Sequence, residues 1–408
     1  MTNTLTLKLT IMANGGAAMG FDAQDRPIFV PFGIPGETVA VALEEQKNHY
    51  ARGKLIEVLA ASHSRVEPRC PHFGVCSGCH FQHMAYEAQT AVLPQIIADQ
   101  LKRIGGIENI TVNKTVPHEP TWTYRAEVQL SPVPGGGLGF WSSSRRQVMP
   151  IETCPIIREE LLNLWQDVDL ELPGLRKLTL RIGDDDALLA ALEIDDVEPP
   201  ELEADFPVSV AMVLPNRSAA SLVGDPYSVQ TINGRDFRVS PGCYFAPNTG
   251  MRTAVIQSLL SLANLQGSET ILEGYSGGGT LTAFLAEAAA EIVAVEINED
   301  AINDAIVNLN HTENVSLYQG WLEDVLPTLN RQPDVIVVEP PAKGLSGTAV
   351  DHLIACTAPK LLYVSADIAT LARDGKRLSK AGYHLAQIQP IDTSPHTYHF
   401  HTVSLWQL

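Results

Sequence analysis

The stretch "ILEGYSGGGTLTAF" (residues 271–284) joins an apolar run to a glycine-rich turn and then to helix-forming residues. The consecutive glycines Gly277 to Gly279 let the backbone of such a turn approach a ligand closely. The next apolar run, "VAVEIN", ends near Glu296, whose carboxylate can accept two hydrogen bonds from a ribose diol. The turn lacks the G-x-G-x-x-G spacing, and a later strand ends in "VEPP". Together these features favour S-adenosylmethionine over NAD, with a ligand-free glycine turn as the alternative.

Strand and helix patterns alternate on both sides of this turn, through residues 236–408. This alternation predicts an α/β domain with a largely parallel sheet and helices on both faces, as in Rossmann-like folds. The predicted strands are "TILEG", "EIVAVEIN", "VSLYQG", "DVIVVEPP", "KLLYVSA", "YHLAQIQPID" and "HTVSLWQL". The predicted helices include "GTLTAFLAEAAA" and "EDAINDAIVNLN".

Two further regions precede this domain. Residues 1–62 contain short alternating strands punctuated by Gly and Pro, which predicts a small β-barrel. Residues 63–235 begin with a Cys-rich loop and continue as a mixed α+β region. A helix is predicted near residues 84–104 because apolar residues recur there at helical spacing. Those residues are Met84, Ala88, Val92, Ile96 and Leu101.

Composition restricts the class of protein. The chain has 408 residues, 45% of them hydrophobic and 18% charged, which is typical of a globular protein. No membrane span and no secretory signal are evident, so we expect a cytoplasmic protein. The net charge of −19 argues against a general polyanion binder, because bulk attraction to phosphate is lacking. Small basic clusters, such as Arg373 with Lys376, leave a local nucleic-acid face possible.

Four of the six cysteines form a spaced set. Cys70, Cys76 and Cys79 follow a C-x5-C-x2-C pattern, and Cys154 follows much later in "ETCPI". Three thiolates on one loop plus a distant fourth are typical of iron–sulfur ligation. Zinc is the competing interpretation, although zinc sites usually come as two short Cys pairs. Ordinary buried cysteines are the third.

A second strand tip raises a chemical question. In "YVSADIATLARD" (363–374) an apolar strand leads through a turn to a helix predicted to open at Thr370. Strand tips of α/β enzymes usually present reactive side chains. This tip offers Ser365, Ala366 and Asp367, and the central residue has no reactive group.

These motifs resemble those of the bacterial RNA (uracil-C5)-methyltransferases, which make 5-methyluridine in ribosomal RNA or transfer RNA. The resemblance covers nearly the whole chain. "FVPFGIPGETV" resembles the signature of the TRAM domain, an RNA-binding OB-like barrel. "RVEPRCPHFGVCSGCHFQHMAYEAQ" resembles the family's 4Fe–4S loop, with Cys154 as the fourth ligand. The remaining matches are to methyltransferase motifs: "SPGCYFAPN", "EGYSGGGT", "VAVEIN", "VVEPPAKGL", "YVSADIATLARD" and "SPHTYHFHTVSL".

The resemblance implies an OB-like barrel at 1–62, an iron–sulfur region at 63–235 and a class I S-adenosylmethionine-dependent methyltransferase domain at 236–408. It implies S-adenosyl-L-methionine and a 4Fe–4S cluster as cofactors and RNA as the partner, with no protein partner indicated. The implied cofactor-binding residues are Tyr275, Gly277, Gly279, Thr280, Glu296 and Glu339, the last in place of an Asp. A cofactor- and uracil-facing Gln of the family is Ala246 here.

The two positions that carry the family's chemistry are also substituted. Ala366 stands at the position of the Cys nucleophile and His401 at that of the Glu base. Uracil C5 becomes nucleophilic only after a thiolate adds to C6, and an alanine methyl group cannot add. His401 could accept a proton, but only from an adduct that does not form. The sequence therefore predicts that the standard reaction is absent.

Several alternatives remain open. Cys243 could act as a relocated nucleophile, whereas Cys356 is better explained by packing. The histidines His396 and His399 could indicate a metal, but a structural role is favoured. Amino-group methylation would usually place an aromatic residue where Ala342 stands. Three functions are therefore compared: an RNA methyltransferase with a rerouted mechanism or substrate, a non-catalytic RNA-binding relative, and an iron–sulfur sensor.

Overall fold

A computed structural model describes residues 4–168, 172–195, 198–200, 206–329 and 332–408. Three extended sheets and one hairpin organise this part of the chain. None of its helices is both long enough and apolar enough to cross a membrane.

The N-terminal strands form one six-stranded sheet in the order β1-β5-β6-β4-β3-β2. They are β1 (Thr4–Lys8), β2 (Ile11–Met12), β3 (Ala17–Phe21), β4 (Pro27–Pro31), β5 (Thr38–Gln46) and β6 (Ala51–Ala60). Glu37 is fully buried beside this sheet and accepts hydrogen bonds from the backbone of Ile34 and from Arg65 at 2.6 and 2.7 Å. The predicted short strands are confirmed, and the OB-like assignment stays a prediction.

The predicted helix after the Cys-rich loop is confirmed with different limits. It begins at Tyr86, and Met84 lies buried just before it. The elements are α1 (Tyr86–Gln100), a π-helical turn at Leu101–Gly105, and α2 (Glu159–Asp167). Pro94 lies inside α1, and Gly106 ends the π turn in a left-handed conformation.

The central region is built on a seven-stranded sheet in the order β13-β12-β11-β10-β7-β8-β9. Its strands are β7 (Glu127–Pro132), β8 (Leu138–Ser142), β9 (Gln147–Pro150), β10 (Leu175–Ile182), β11 (Leu188–Ile194), β12 (Ser209–Val213) and β13 (Ala219–Val223). A separate hairpin, β14 (Ser228–Ile232) with β15 (Arg235–Val239), leads into the C-terminal domain. The predicted limit at 235/236 falls within this hairpin, and the domain limits stay predictions.

The C-terminal domain is a seven-stranded sheet in the order β18-β17-β16-β19-β20-β22-β21. All its pairs are parallel except those of β22 with β20 and β21, so the predicted largely parallel sheet is confirmed. The strands are β16 (Thr270–Gly274), β17 (Glu291–Glu296), β18 (Val315–Gln319), β19 (Val335–Val338), β20 (Lys360–Ser365), β21 (His384–Ile391) and β22 (His401–Gln407). The helices are α3 (Thr249–Ala263), α4 (Thr280–Ala286), α5 (Glu299–Asn308), α6 (Leu322–Val325), extended by a 3-10 turn at Leu326–Thr328, α7 (Gly347–Ala355) and α8 (Ile368–Lys380).

The prediction that the last helix opens at Thr370 is wrong by two residues. Helix α8 begins at Ile368 because the side chain of Asp367 accepts a hydrogen bond from the Thr370 N–H at 2.8 Å. Asp367 is therefore the N-cap, a role that satisfies one of the free N–H groups of the first turn. The cap shortens the turn after β20 to Ala366 and Asp367.

Candidate active site

The glycine-rich turn lies between β16 and α4, at the carboxyl edge of the parallel sheet. Tyr275, Gly277 and Gly279 all adopt positive φ, at 62°, 55° and 80°. A side chain on Gly279 would lie 2.9 Å from Leu309, whereas the space around Gly277 is open. Thr280 follows as the first residue of α4. The turn therefore packs tightly on one side and faces free space on the other, as a ligand-binding turn requires.

Glu296 closes the turn from the neighbouring strand. One carboxylate oxygen accepts a hydrogen bond from the Gly277 N–H at 3.0 Å. The other oxygen accepts from the N–H groups of Ile297 and Asn298 at 2.8 and 2.7 Å. The carboxylate thus fixes the shape of the turn, in addition to any hydrogen bond that it gives a ligand.

Among the residues that the structure describes, the buried side-chain atoms without a hydrogen-bond partner include Oε2 of Glu273 and Oγ of Ser276, both beside this turn. Burial raises the pKa of Glu273 to about 8, and the nearby carboxylate of Glu339 adds to the shift. Glu273 is therefore a neutral acid at pH 7, which can donate a hydrogen bond.

Glu339, just after β19, pairs with an arginine that the sequence did not single out. Both carboxylate oxygens accept hydrogen bonds from the Arg252 guanidinium, at 2.5 and 2.7 Å. The Arg252 side chain is only 8% exposed and that of Glu339 18%. This is a bidentate, nearly buried ion pair, the geometry in which Arg binds a carboxylate most strongly.

Ala246 and His401, two of the substituted positions, line one small cavity together with Arg252. Its volume is about 40 Å³. His401 Nδ1 shares a hydrogen bond of 2.8 Å with the Thr393 hydroxyl. Burial lowers the pKa of His401 to about 4 against the opposing influence of Glu339. His401 is therefore a neutral imidazole at pH 7.

The third substituted position, Ala366, lies at the same edge of the sheet. The antiparallel register pairs Ser365 with Thr402, so the residues just beyond this pair, Ala366 and His401, follow on adjacent chain segments. The Ser365 hydroxyl donates to the carbonyl of Asp367 at 2.9 Å and accepts from its N–H. The hydroxyl of the residue that precedes Ala366 is thus engaged in hydrogen bonds within the turn.

The four cysteines predicted as ligands all line one cavity of about 420 Å³: Cys70, Cys76, Cys79 and Cys154. Burial raises the pKa of Cys79 to about 12 and that of Cys154 to about 11, and each shift is increased by neighbouring thiols of the set. Within the described residues, no three His, Cys, Asp or Glu side chains converge closely enough to hold a single metal ion. The structure therefore brings the thiols to one cavity without gathering them around a point.

The cysteine loop also holds the segment that leads to His401. The N–H groups of His80 and Phe81 both donate to the carbonyl of His396, at 2.8 and 2.9 Å. The His396 ring stacks on Trp122 at 3.7 Å, and its Nδ1 lies 3.1 Å from the Gln89 amide nitrogen. His396 thus has the structural role that the sequence favoured.

Comparison with known proteins agrees with this arrangement. The family profile of tRNA (Uracil-5-)-methyltransferases matches residues 225–407. An RNA methyltransferase of Halalkalibacterium halodurans is 31% identical, over 93% of this chain and 92% of its own. One from Nostoc sp. is also 31% identical, over 92% and 90%.

The chain belongs to the same family of RNA methyltransferases as these relatives. A solved structure shares the fold of this family member: Pyrococcus abyssi tRNA (uracil-54, C5)-methyltransferase, in complex with S-adenosyl-L-homocysteine. The TM-score is 0.73 at 22% identity, covering 98% of this chain and all of the other. The Rossmann-like methyltransferase domain predicted from the sequence is confirmed.

The two cysteines that do not belong to the four-cysteine set, Cys243 and Cys356, pack within the protein. Cys243 is buried, and its thiol donates to Oδ1 of Asn298 at 3.8 Å. Burial raises its pKa, and the nearby carboxylates of Asp304 and Asp300 raise it further. Cys356 is the C-cap of α7 and bonds the carbonyl of His352. Neither thiol lines the cavity of Ala246 and His401.

Sequence reasoning missed two residues that shape the site. Gln230, on β14, hydrogen-bonds both the carbonyl and the N–H of Ala246, at 2.8 and 3.4 Å. Arg252 lies on the buried stripe of α3 with Val255, Ile256 and Leu259. A lone charge on an apolar helical stripe was the signal that could have found it.

Proposed function

We propose that the protein binds S-adenosyl-L-methionine and structured RNA, either ribosomal RNA or transfer RNA, and does not make 5-methyluridine by the Cys-dependent route. The observation that carries this proposal is the edge of the sheet at β20 and β22. There Ala366 and His401 follow the Ser365–Thr402 pair, where nucleophile and base would be needed. Family membership supports the substrate class, since relatives of this chain are RNA methyltransferases.

The residues around the glycine turn fit the cofactor. Its sulfonium group supplies a methyl group for transfer when it is bound. Gly277 leaves open space beside the turn, and the unpartnered polar atoms of Glu273 and Ser276 lie buried next to it. In this proposal Tyr275, Gly279, Thr280 and Glu296 complete the binding turn, with Glu296 accepting from the ribose. The complex of the P. abyssi protein with S-adenosyl-L-homocysteine is consistent with it.

The chemistry of the site argues against the standard reaction. Covalent addition to C6 of uracil needs a thiolate, and a thiol of raised pKa provides little of it. Cys243 is such a thiol, buried and bonded to Asn298. The neutral imidazole of His401 could take a proton, but no adduct would present one.

We also propose that Cys70, Cys76, Cys79 and Cys154 hold a 4Fe–4S cluster. All four line the same cavity, and an ordinary thiol there is protonated because burial raises its pKa. In this proposal each of the four cysteines would supply one thiolate ligand to the cluster. The cluster's positive iron centres would favour the thiolate form.

Fewer basic side chains of α8 are available to bind RNA than the sequence suggests, because two of its arginines have partners within the protein. The guanidinium of Arg373 donates to the carbonyls of Lys343 and Leu345 and pairs with Asp374. Arg377 pairs with Asp351 at 2.6 Å. We propose that the N-terminal sheet, as a TRAM-like barrel, makes the main backbone contacts, and that a target base turns out of its stack toward the site.

Two measurements test the proposed function. Equilibrium titration with S-adenosylmethionine should show binding to a single site, and loss of binding on Gly279→Val would locate it at the turn. Transfer of a labelled methyl group to unmodified transcripts of ribosomal and transfer RNA should yield no 5-methyluridine. Robust formation of that product would disprove the loss of the standard reaction and favour a rerouted mechanism. Absence of both cofactor and RNA binding would favour the iron–sulfur sensor instead.

A further inference from the structure

Arg252 is a charged side chain in an apolar environment. It belongs to the stripe of α3 that faces the domain interior, and only 8% of its side chain is exposed. Removing a guanidinium from water costs several kcal/mol unless a partner compensates. The partner therefore decides where this side chain lies.

That partner is the carboxylate at the tip of β19. The guanidinium presents two parallel N–H donors to both oxygens of Glu339. A nucleobase offers the same kind of group, a flat ring with N–H donors in its plane. The Arg252 guanidinium thus donates to Glu339 the hydrogen bonds that the N–H groups of an incoming base could otherwise donate.

The space next to the pair is correspondingly small. The cavity lined by Ala246, Arg252 and His401 has a volume of about 40 Å³. A single water needs roughly 10–15 Å³ of space measured in this way, so only a few waters fit there. The short side chain of Ala246 opens no room for a pyrimidine ring, because the Arg252 guanidinium lies beside it. Tyr244, which also lines this cavity, is 61% exposed.

We propose that Arg252 is a built-in occupant of the target-base pocket and excludes pyrimidines from it. This inference rests on the proposed function, which places that pocket at the tips of β19, β20 and β22. It adds a specificity-determining residue: the ion pair with Glu339 keeps the pocket filled, and a pyrimidine enters only when the guanidinium is absent. Loss of the nucleophile at Ala366 and filling of the pocket by Arg252 then act in the same direction.

Binding of a fluorinated pyrimidine nucleotide tests the proposal directly. The probe is 5-fluorouridine 5′-monophosphate, followed by ¹⁹F NMR on the full chain. We expect Arg252→Ala to bind it at least about tenfold more tightly than the wild type. Arg377→Ala, which removes an arginine from an exposed ion pair of the same domain, is the matched control and should behave as the wild type. Methylguanidinium should displace the nucleotide from Arg252→Ala by restoring the partner of Glu339.

Equal binding by the wild type and Arg252→Ala would overturn the proposal. If Arg252→Ala does not fold, the double variant Arg252→Ala/Glu339→Gln also vacates the space of the guanidinium, but it removes both charges and leaves no lone buried carboxylate. A folded double variant that binds no more nucleotide than the wild type would also overturn it. Calorimetric titration of the same samples with S-adenosylhomocysteine separates the two proposals. If the wild type does not bind S-adenosylhomocysteine, the proposed function is contradicted. The difference in nucleotide binding between the wild type and Arg252→Ala tests only the role of Arg252.

Discussion

Arg181 and Glu127 form an ion pair that is buried on both sides, with Nε and Oε2 2.8 Å apart. They face each other across the β10–β7 pair of the central sheet. The same guanidinium donates to the carbonyls of Ser240 and Cys243 at 3.0 and 2.9 Å. One side chain of the central region thus holds the loop that carries Ala246 in the methyltransferase domain.

We expect Arg181→Met to lower the free energy of unfolding by about 3–5 kcal/mol, because Glu127 would remain buried without its partner. The double variant Arg181→Met/Glu127→Gln should lose less. Urea unfolding followed by circular dichroism measures both. The matched control is Arg176→Met, on the same strand as Arg181. It breaks an exposed pair with Asp195, which follows β11, and should cost at most about 1 kcal/mol. Equal losses in Arg181→Met and Arg176→Met would contradict this role of Arg181.

Introducing the reactive groups that the resemblance implies tests whether the pocket can still admit a uracil base. We expect Ala366→Cys/His401→Glu/Ala246→Gln to form no covalent complex with RNA containing 5-fluorouridine, because Arg252 still fills the pocket. Adding Arg252→Ala should allow an adduct that survives denaturing electrophoresis. The same four-fold variant with Ser instead of Cys at position 366 is the control and should form none. An adduct with the three-fold variant would show that Arg252 does not block entry.

The cysteine set should bind iron and inorganic sulfide together. We expect anaerobically purified protein to be brown, and Cys154→Ser to lose the visible absorbance and most of the iron. Cys356→Ser removes a thiol outside the cavity and should keep both. Because the N–H groups of His80 and Phe81 hold His396, Cys154→Ser should also increase amide exchange around that residue. Stoichiometric zinc in protein purified without oxygen would contradict the cluster.

Glu273 should make the free energy of unfolding fall as the pH rises. Its folded-state pKa is raised from 4.5 to about 8, chiefly by burial. The folded state therefore holds the proton more tightly than the unfolded state. The resulting stabilisation, on the order of 5 kcal/mol, is complete below about pH 4.5 and is lost as the pH rises to about 8.

We expect Glu273→Gln, which mimics the protonated acid, to lose less stability than the wild type between pH 5 and about 9. Thermal unfolding at a series of pH values measures the difference. Glu287→Gln removes a surface carboxylate, 68% exposed, and should follow the wild-type profile. Parallel profiles for the wild type and Glu273→Gln would show that Glu273 is ionised in the folded protein.

Local patterns were sufficient for the fold of the C-terminal domain. Apolar runs of strand length, helical spacing and the glycine turn gave β16 to β22 in order, because a parallel sheet buries both faces and its strands read as continuous apolar segments. The edge of α8 was misplaced by two residues, since the pattern does not show whether Asp367 caps the helix. The resemblance also predicts that Ala246, Ala366 and His401 are substituted positions, and this stays a prediction.

The sequence by itself determined which side chains are available, because residue 366 is an alanine and residue 401 a histidine whatever the fold. Only the tertiary structure decided which side chains surround those positions. Arg252 and Glu339 are 87 residues apart in the chain, and they meet only because α3 packs beside the tip of β19. Gln230, on β14, meets Ala246, in the loop before α3, across 16 residues. Side-chain pairing across elements depends on distances that no local pattern encodes, and here those distances set the size and charge of the pocket.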